Sequence, residues 1–451
     1  MFRSAIPLVL FLAAAMGDAR GAPPLKVGVF AVDASPPVGS PLAYDPTKGV
    51  TDPLTCKGIV LIGEGKPVVL CAVDWIGIGN DGQVEFRQAL ADAGGTDPQR
   101  VAVHTLHQHD APICDLSADR LLAEQGINRE VFDAAFNREV FARAADAVRV
   151  AKAKARPVTH LGLGQAAVEK VASNRRILGS DGKVKYVRYT ACKDPKIRDA
   201  PVGTIDPMLK MISFWDGDQP VAALTYYATH PQSYYRTGLA NPDFPGLARE
   251  HRQKITGVPH IHFDGAGGNI GAGKYNDGSH ANRQVLTDRV AAGMARAWET
   301  TMKTPITAVD LGWTTIPVAL PVAPHLDEGR LTALIKDSSK PARERSDAAR
   351  ELVWLRRCRS GDTIDVACLR LGKARVLHLP GELFVEYQLA AQKMRPDLFV
   401  AMAAYGDYAP GYIGTEVAYP QGGYETGPRA SLVAPKVEGV LMDVIQKLLR
   451  E

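Results

Sequence analysis

Segments with the two-residue periodicity of strands alternate along this chain with amphipathic segments of helical spacing. Residues 101–103, 221–229 and 399–404 have the pattern of strands, whereas 128–155 and 431–449 have that of helices. Such alternation is typical of α/β proteins, in which helices cover a largely buried sheet. We therefore expect an α/β fold: one large domain with a mixed β-sheet flanked by helices.

The first residues have the pattern of an export signal. A positive start at Arg3 is followed by an apolar run over residues 5–16, and small residues at 17, 19 and 21 precede Pro23. The apolar run is shorter than the about 20 residues that a membrane-spanning helix needs. The sequence thus predicts a signal peptide over residues 1–22. The rest of the chain, residues 23–451, is then expected to be exported to the periplasm or the extracellular space.

Charge and cysteine usage disfavour two classes of site. The chain carries 53 Lys and Arg against 49 Asp and Glu, a net charge of +4, which gives no reason to expect a nucleic acid partner. Its six cysteines form no Cys-x-x-Cys pair, so a thiolate zinc site is disfavoured. A metal centre in this chain would use nitrogen and oxygen ligands.

Two histidines follow the strand-like segment 101–103. His107 and His109 lie two residues apart, and residues i and i+2 of an extended chain project to the same side. Imidazole is a neutral nitrogen ligand that suits zinc. A His-x-His pair is also common on surfaces and in cores, so by itself it is weak. Asp110-Ala111-Pro112 ends the strand, which places the pair where sheet enzymes bind ligands.

Further candidate ligands follow other strand-like segments. His230 comes after residues 221–228, and Glu382 follows Pro380-Gly381 at a strand-to-helix turn. Alone, His230 could be a core histidine and Glu382 a carboxylate at a helix N-terminus. A loop rich in tyrosine, glycine and carboxylates, residues 407–425, follows a fourth segment. The conjunction predicts one metal centre assembled from distant parts of the chain.

These segments resemble, in the same order, the motifs of the neutral ceramidases, a family of zinc amidases. The matching segments are His107-Gln108-His109-Asp110-Ala111-Pro112, Ser173-Asn174-Arg175-Arg176, Ala228-Thr229-His230-Pro231-Gln232-Ser233, Phe263-Asp264-Gly265-Ala266-Gly267-Gly268-Asn269-Ile270-Gly271, Leu379-Pro380-Gly381-Glu382, and the run from Gly411-Tyr412 to Gly422-Gly423-Tyr424-Glu425. Together they span nearly all of the chain after residue 22. The resemblance is to the catalytic domain alone, and the immunoglobulin-like C-terminal domain of the family is not expected here.

The resemblance implies a zinc site and its catalytic surroundings. It implies that zinc is held by His107, His230, Glu382 and Tyr412, with a water completing the site. It further implies that His109, Arg175 and Tyr424 surround the scissile amide. Such groups can donate to a developing oxyanion, and a histidine can donate the proton that the leaving amine needs. Which of His109 and Glu382 first takes a proton from the water stays open.

The expected function is that of a secreted, zinc-dependent amidohydrolase that cleaves the N-acyl amide bond of a ceramide-like substrate. Asp110-Ala111 replaces the Ser-Gly of the family, and Gly271-Ala272-Gly273-Lys274 replaces its Gly-Asp turn. The alternatives are a metallohydrolase for another N-acyl, N-acetyl-sugar or ester substrate, and a secreted binding protein without turnover. The substrate would be a small molecule or a lipid. Contact with a membrane surface and the oligomeric state are left open.

Two other enzyme classes are disfavoured. The chain has no Gly-x-Ser-x-Gly elbow, which a serine hydrolase of the α/β class would need. The glycine-rich segment 265–271 misses the spacing of a dinucleotide-binding loop.

Overall fold

A computed structural model describes residues 23–450 of the chain, so the predicted signal peptide lies outside the described residues. The strands are β1 (Leu25–Asp33), β2 (Gly49–Val50), β3 (Thr55–Ile62), β4 (Val68–Val73), β5 (Gly77–Gly79), β6 (Val101–Thr105), β7 (Ile113–Asp115), β8 (Arg156–Val158), β9 (His160–Ala167), β10 (Ser173–Asn174), β11 (Arg176–Leu178), β12 (Val184–Val187), β13 (Met208–Asp216), β14 (Gln219–Tyr227), β15 (Leu239–Ala240), β16 (His260–Asp264), β17 (Ile270–Gly271), β18 (Met302–Pro305), β19 (Leu311–Val318), β20 (Ile364–Leu371), β21 (Ala374–His378), β22 (Glu382–Leu383), β23 (Phe399–Ala403) and β24 (Tyr412–Ile413). The helices are α1 (Asp81–Gly94), α2 (Leu116–Ala123), α3 (Ala134–Ala153), α4 (Pro195–Arg198), α5 (Asp243–Thr256), α6 (His280–Glu299), α7 (Glu328–Lys336), α8 (Ala342–Ser360), α9 (Val385–Met394), α10 (Ala418–Gln421) and α11 (Val437–Arg450).

The larger strands form three mixed sheets. Two are five-stranded, in the orders β6-β4-β3-β1-β8 and β16-β14-β13-β9-β18, and one is four-stranded, in the order β19-β20-β21-β23. Each sheet is antiparallel except for one pair at its edge: β4–β6, β14–β16 and β21–β23 are parallel. The expected mixed α/β class is confirmed, with the strands divided among three sheets.

Helices cover the outer faces of these sheets. Helices α1 and α3 pack together and α3 lies on β1, whereas α5 and α6 pack on the second sheet and α9 and α11 on the third. Helix α3 begins at Ala134, later than the predicted residue 128, because the Asp133 carboxylate accepts the Phe136 backbone N–H at 3.2 Å and so caps the first turn. No helix within residues 23–450 is both long and apolar enough to cross a membrane.

The three sheets meet at the ends of their parallel strands. Thr105 N at the end of β6 donates to Tyr405 O at 3.0 Å, and Ala404 N, just after β23, donates to Asp264 O of β16 at 3.0 Å. A continuous apolar cluster joins the sheets behind this junction, with Val27, Ile212 and Val376 among its members. The segments that leave these strands therefore begin as neighbours, although they are far apart in the chain.

A buried ion pair fastens the first sheet to α5. Arg249 donates from Nη1 to Asp74 Oδ1 at 2.9 Å and from Nη2 to Oδ2 at 2.8 Å, and both side chains are fully buried. Burial alone would raise the pKa of the Asp74 carboxyl, but Arg249 lowers it below its usual value. Asp74 Oδ1 also accepts from Gln108 Nε2 at 3.1 Å. The pair thus holds the segment that carries both candidate histidines.

The first prediction concerns this pair. Arg249→Met leaves the Asp74 carboxylate buried without its partner, so we expect the free energy of unfolding to fall by about 3–5 kcal/mol. Chemical denaturation measures this loss. The double variant with Asp74→Asn should recover part of it, and Arg138→Met, which removes an exposed pair with Glu85, should change little. A small effect of Arg249→Met would contradict the assignment.

The second prediction concerns a buried histidine pair. His104 Nε2 lies 2.9 Å from His378 Nδ1, and its own Nδ1 donates to Ala404 O at 2.7 Å. Burial lowers the pKa of His104 to about 4. The pKa is depressed in the folded state, so the stabilisation is fully present above the unfolded value of about 6.5 and is lost as the pH falls towards 4. For His104 alone the loss is about 3 kcal/mol.

Denaturation at a series of pH values between 7 and 4 tests this. His104→Asn should flatten the decline in unfolding free energy, because one buried group that must stay neutral is gone. The matched change at an exposed histidine, His251→Asn, should leave the slope as it is. Equal slopes in the wild type and in His104→Asn would show that this histidine does not drive acid destabilisation.

Candidate metal centre

Side chains from three strand ends converge on one buried point. Ring nitrogens of His107, His109 and His230 lie within 4.8 Å of one another, and all three side chains are buried. Glu382 Oε2 lies 3.3 Å from His107 Nε2 and 3.6 Å from His230 Nε2. The structure therefore brings together three of the four predicted ligands, with His109 beside them, and the fourth, Tyr412, lies opposite Glu382 in a strand pair.

Hydrogen bonds fix the tautomers of two of these histidines. His107 Nδ1 lies 2.7 Å from Ile76 O, and His230 Nδ1 lies 3.2 Å from Gly267 O. A carbonyl oxygen can only accept, so each Nδ1 carries the proton and each Nε2 presents its lone pair. Backbone carbonyls orient metal-binding imidazoles in this way.

The Glu382 carboxylate completes a set of donors that suits a cation. Its Oε2 is buried and accepts no hydrogen bond from the described residues. The Tyr408 hydroxyl donates to the other carboxylate oxygen, Oε1, at 2.8 Å, and a hydrogen bond of this kind favours the ionised carboxylate. An ionised oxygen therefore faces two imidazole lone pairs at short range. Such an arrangement is unfavourable unless a positive charge lies between them, and nitrogen with carboxylate oxygen is a ligand set that zinc accepts.

The local backbone at His107 differs from the expected one. Strand β6 ends at Thr105, and His107 has a φ of +56°, so the extended i, i+2 geometry predicted for His107 and His109 is wrong. The chain turns out of the strand there, and this turn still brings the two rings to a centroid separation of 5.0 Å. A positive φ at a residue that is not glycine is a strained conformation of the kind found at functional sites.

Glu382 is positioned by strand pairing. It lies in β22, which pairs in parallel with β24 so that Glu382 is directly opposite Tyr412. Glu382 therefore lies in a short strand and not at a helix N-terminus, because α9 begins only at Val385. Gly268 N donates to Leu383 O at 2.8 Å, and a Cβ at Gly268 would lie 2.3 Å from Glu382 O. The backbone of β22 can approach the glycine-rich turn this closely only because Gly268 has no side chain.

Arg175 connects the tyrosine loop to the glycine-rich turn. Its backbone N–H donates to Asn269 O at 2.8 Å, next to the β10–β17 pair. Its Nη1 donates to the Tyr412 hydroxyl at 3.1 Å, and its Nε lies 3.4 Å from Glu425 Oε1. Burial alone would lower the pKa of the Arg175 guanidinium, but Tyr412 and Glu425 raise it, and the net result is a raised pKa. Arg175 therefore stays charged and holds Tyr412 beside Glu382.

His109 differs from the other two histidines. Its Nδ1 lies 3.0 Å from Gln232 Nε2 and 3.0 Å from the Tyr44 hydroxyl. The Gln232 amide nitrogen is a donor, so His109 Nδ1 accepts and the ring proton is on Nε2. That Nε2 is buried and has no partner among the described residues. Burial lowers the pKa of His109 well below its usual value, so the ring offers a neutral N–H donor and not a lone pair.

Tyr424 lies at the outer edge of the group. Its ring centroid is 5.6 Å from that of Tyr412, and the Arg175 guanidinium carbon lies 5.7 Å from the Tyr424 ring centroid. Tyr424 is 46% exposed, and partial burial raises its pKa to about 12. It lines a cavity of about 540 Å³ that opens onto Glu382 and Tyr412, a size usual for small-molecule sites.

The sequence did not single out three tyrosines that contact the site. The Tyr408 hydroxyl donates to Glu382 Oε1 at 2.8 Å, and Tyr405 stacks on His107 at 4.9 Å between ring centroids. Tyr44 contacts His109. Tyr408 belongs to the loop 407–425, so its composition was a usable signal, and Tyr405 directly precedes that loop. Tyr44 lies in a loop without any motif.

The fold is that of the neutral ceramidases. A solved structure described as "Ceramidase complexed with C2" aligns with a TM-score of 0.68 and 16% sequence identity, covering 95% of this chain and 75% of that one. The neutral ceramidase from Pseudomonas aeruginosa aligns with a TM-score of 0.67 and 15% identity, covering 95% and 74%. Searches against protein-family models and against curated proteins find no match.

The third prediction concerns metal content. His107→Ala removes one lone pair from the donor set, so we expect zinc affinity to fall by at least about 100-fold. Elemental analysis after dialysis against a zinc buffer measures it. His251→Ala, at an exposed position, is the matched control and should bind zinc like the wild type. Equal zinc content in both variants would rule out this centre.

Proposed function

We propose that this protein is an exported, zinc-dependent hydrolase that cleaves the amide bond of an N-acyl substrate related to ceramide. The observation that carries the proposal is the buried, unpartnered Glu382 Oε2 facing the Nε2 atoms of His107 and His230. The likeness of the fold to neutral ceramidases, one of them complexed with C2, supports the choice of an amide substrate. The export pattern of residues 1–22 supports a location outside the cytoplasm.

In this proposal zinc is held by His107, His230, Glu382 and Tyr412. His109 is not a ligand, because its proton is on Nε2. When bound, zinc would polarise a carbonyl group and lower the pKa of water. The residues of the chain supply the rest: Tyr408 holds Glu382 Oε1 in place, so that Oε2 stays directed at the histidines.

The neighbouring donors suit the charge that develops on an amide oxygen. Water adds to the carbonyl carbon, both water protons pass to the leaving nitrogen as the C–N bond breaks, and the products are a carboxylate and a protonated amine. His109 Nε2–H and the Tyr424 hydroxyl can donate to the oxygen as it becomes negative, and the Arg175 guanidinium lies beside them. Donors that are already in place before the reaction lower the barrier, because no reorganisation is needed.

The fourth prediction tests the role of Tyr424. Tyr424→Phe removes only the hydroxyl, so kcat on a short-chain ceramide should fall by roughly 10²-fold while zinc content is unchanged. Tyr186→Phe alters a tyrosine on β12 that is exposed to a similar degree and is not part of the cavity, and its activity should equal that of the wild type. Unchanged turnover in Tyr424→Phe would remove this residue from the mechanism.

The amidase function itself is tested by release of the amine. The zinc-loaded protein should liberate the free base from a short-chain ceramide, lose this activity with a chelator and regain it with zinc. A protein that retains zinc and binds the ceramide but releases no amine would be a binding protein. Cleavage of an ester or N-acetyl-sugar substrate in place of the amide would identify a different metallohydrolase.

A further inference from the structure

Four arginines line the cavity that opens onto the candidate metal centre: Arg236, Arg343, Arg350 and Arg429. Besides Glu382, only two carboxylates are part of the same lining, Asp347 and Glu351. The cavity therefore carries an excess of positive charge, although the whole chain is nearly balanced. A substrate that enters it meets guanidinium groups before it reaches the buried donors.

Three of these arginines pack against tyrosine rings whose hydroxyl groups contact side chains of the metal centre. The guanidinium carbon of Arg350 is 5.3 Å from the ring centroid of Tyr408, whose hydroxyl donates to Glu382. Arg236 and Arg343 lie 5.1 and 5.5 Å from the ring centroid of Tyr44, whose hydroxyl contacts His109. The arginines are thus close enough to the metal centre for one small molecule to contact both.

Three of these four guanidinium groups form no direct contact with an anionic side chain among the described residues. Arg343 donates to Ala43 O and lies 3.7 Å from Asp347, and Glu351 pairs with Arg330 at 3.5 Å. Within residues 23–450, the side chains of Arg236, Arg350 and Arg429 make no hydrogen bond or ion pair. Arg350 is nevertheless partly buried. Burial alone would lower the pKa of Arg350, but Tyr408 and the Asp347 carboxylate raise it, so the guanidinium stays charged while its N–H donors are free of direct partners.

The loop that presents Arg236 is anchored to the metal-binding segment. Asp110 Oδ1 accepts the Arg236 backbone N–H at 2.9 Å, and Oδ2 accepts the Thr237 hydroxyl at 2.8 Å. Arg236 itself has a φ of +66°, a conformation that needs such support. Asp110 follows His109 directly. The position of Arg236 is therefore set by the same segment that supplies the histidines.

We propose that the substrate of this site is an N-acyl amide with an oxyanion group, a carboxylate or a phosphate, on its amine side, which Arg350 and Arg236 bind. The proposal rests on the amidase function proposed above. Guanidinium groups match the geometry of carboxylate and phosphate oxygens. The aliphatic part of the lining, Ile76, Ile113 and Leu432, can hold an acyl chain. A neutral ceramide would leave the arginines without partners.

Three probes that share one acyl chain test the proposal. N-hexanoylethanolamine is neutral, N-hexanoylglycine carries a carboxylate, and O-phospho-N-hexanoylethanolamine carries a phosphate. Binding to the zinc-loaded protein is measured by calorimetry, and hydrolysis by release of the amine. We expect one or both anionic probes to bind at least about 10-fold more tightly than the neutral probe, as a charge-assisted hydrogen bond implies. The two anionic arms show which oxyanion is preferred.

Arginine variants show where the preference arises. Arg350→Gln and Arg236→Gln should each weaken binding of the preferred anionic probe by about 10-fold or more, and should not change binding of the neutral probe. Arg350→Lys keeps the charge and should restore part of the loss. Arg149→Gln is the control, because Arg149 lies on α3 with only an exposed partner, and it should behave like the wild type. Thermal unfolding of each variant confirms that it folds.

The outcomes separate this proposal from the proposed function. A preference for anionic probes that survives in both arginine variants would place the anion elsewhere and overturn the inference, as would equal binding of neutral and anionic probes. If the neutral amide is hydrolysed as fast as the anionic ones, the amidase function stands and the inference fails. If anionic probes bind through the arginines and none is hydrolysed, the inference about the ligand stands and the amidase function fails.

Discussion

One buried carboxylate oxygen, Glu382 Oε2, faces two imidazole lone pairs at 3.3 and 3.6 Å. None of the three groups can turn away, because Tyr408 holds the other carboxylate oxygen and backbone carbonyls hold the other nitrogen of each ring. Electron-rich atoms held this close repel one another, and a cation bound between them would remove the repulsion. The glycine-rich turn, which lets β22 approach, and the strained backbone of His107 both help to hold these three groups together.

The three sheets supply that contact in a simple way. Each is antiparallel except at the edge where two parallel strands point their carboxyl ends in the same direction. Backbone hydrogen bonds from Thr105 to Tyr405 and from Ala404 to Asp264 join those ends across the sheets. The segments that follow are short, so their side chains have little freedom to separate. Convergence of remote residues is therefore a property of the strand order and not of any single loop.

The sequence allowed the site to be predicted where the signal was local. His107, His230 and Glu382 stood out because each follows a strand-like segment, and the order of the motifs supported them. The tautomer of His109 could not be predicted, because Gln232 and Tyr44 reach it from other parts of the fold. The pairing of Glu382 with Tyr412 is equally non-local. Arg350 lies on α8 without any motif, and only tertiary packing brings it to the cavity.

Asp110 joins two parts of the site that would otherwise be independent. Its neighbour His109 lies beside the other two histidines of the candidate metal centre, and its own carboxylate anchors the turn that carries Arg236. Under the two proposals made above, Asp110 would therefore link the metal centre to the arginines that select the substrate. A mutation at Asp110 would disturb the histidine segment and the Arg236 turn at once. A redesign of the pocket would therefore have to replace the hydrogen bonds between Asp110 and the Arg236–Thr237 turn first.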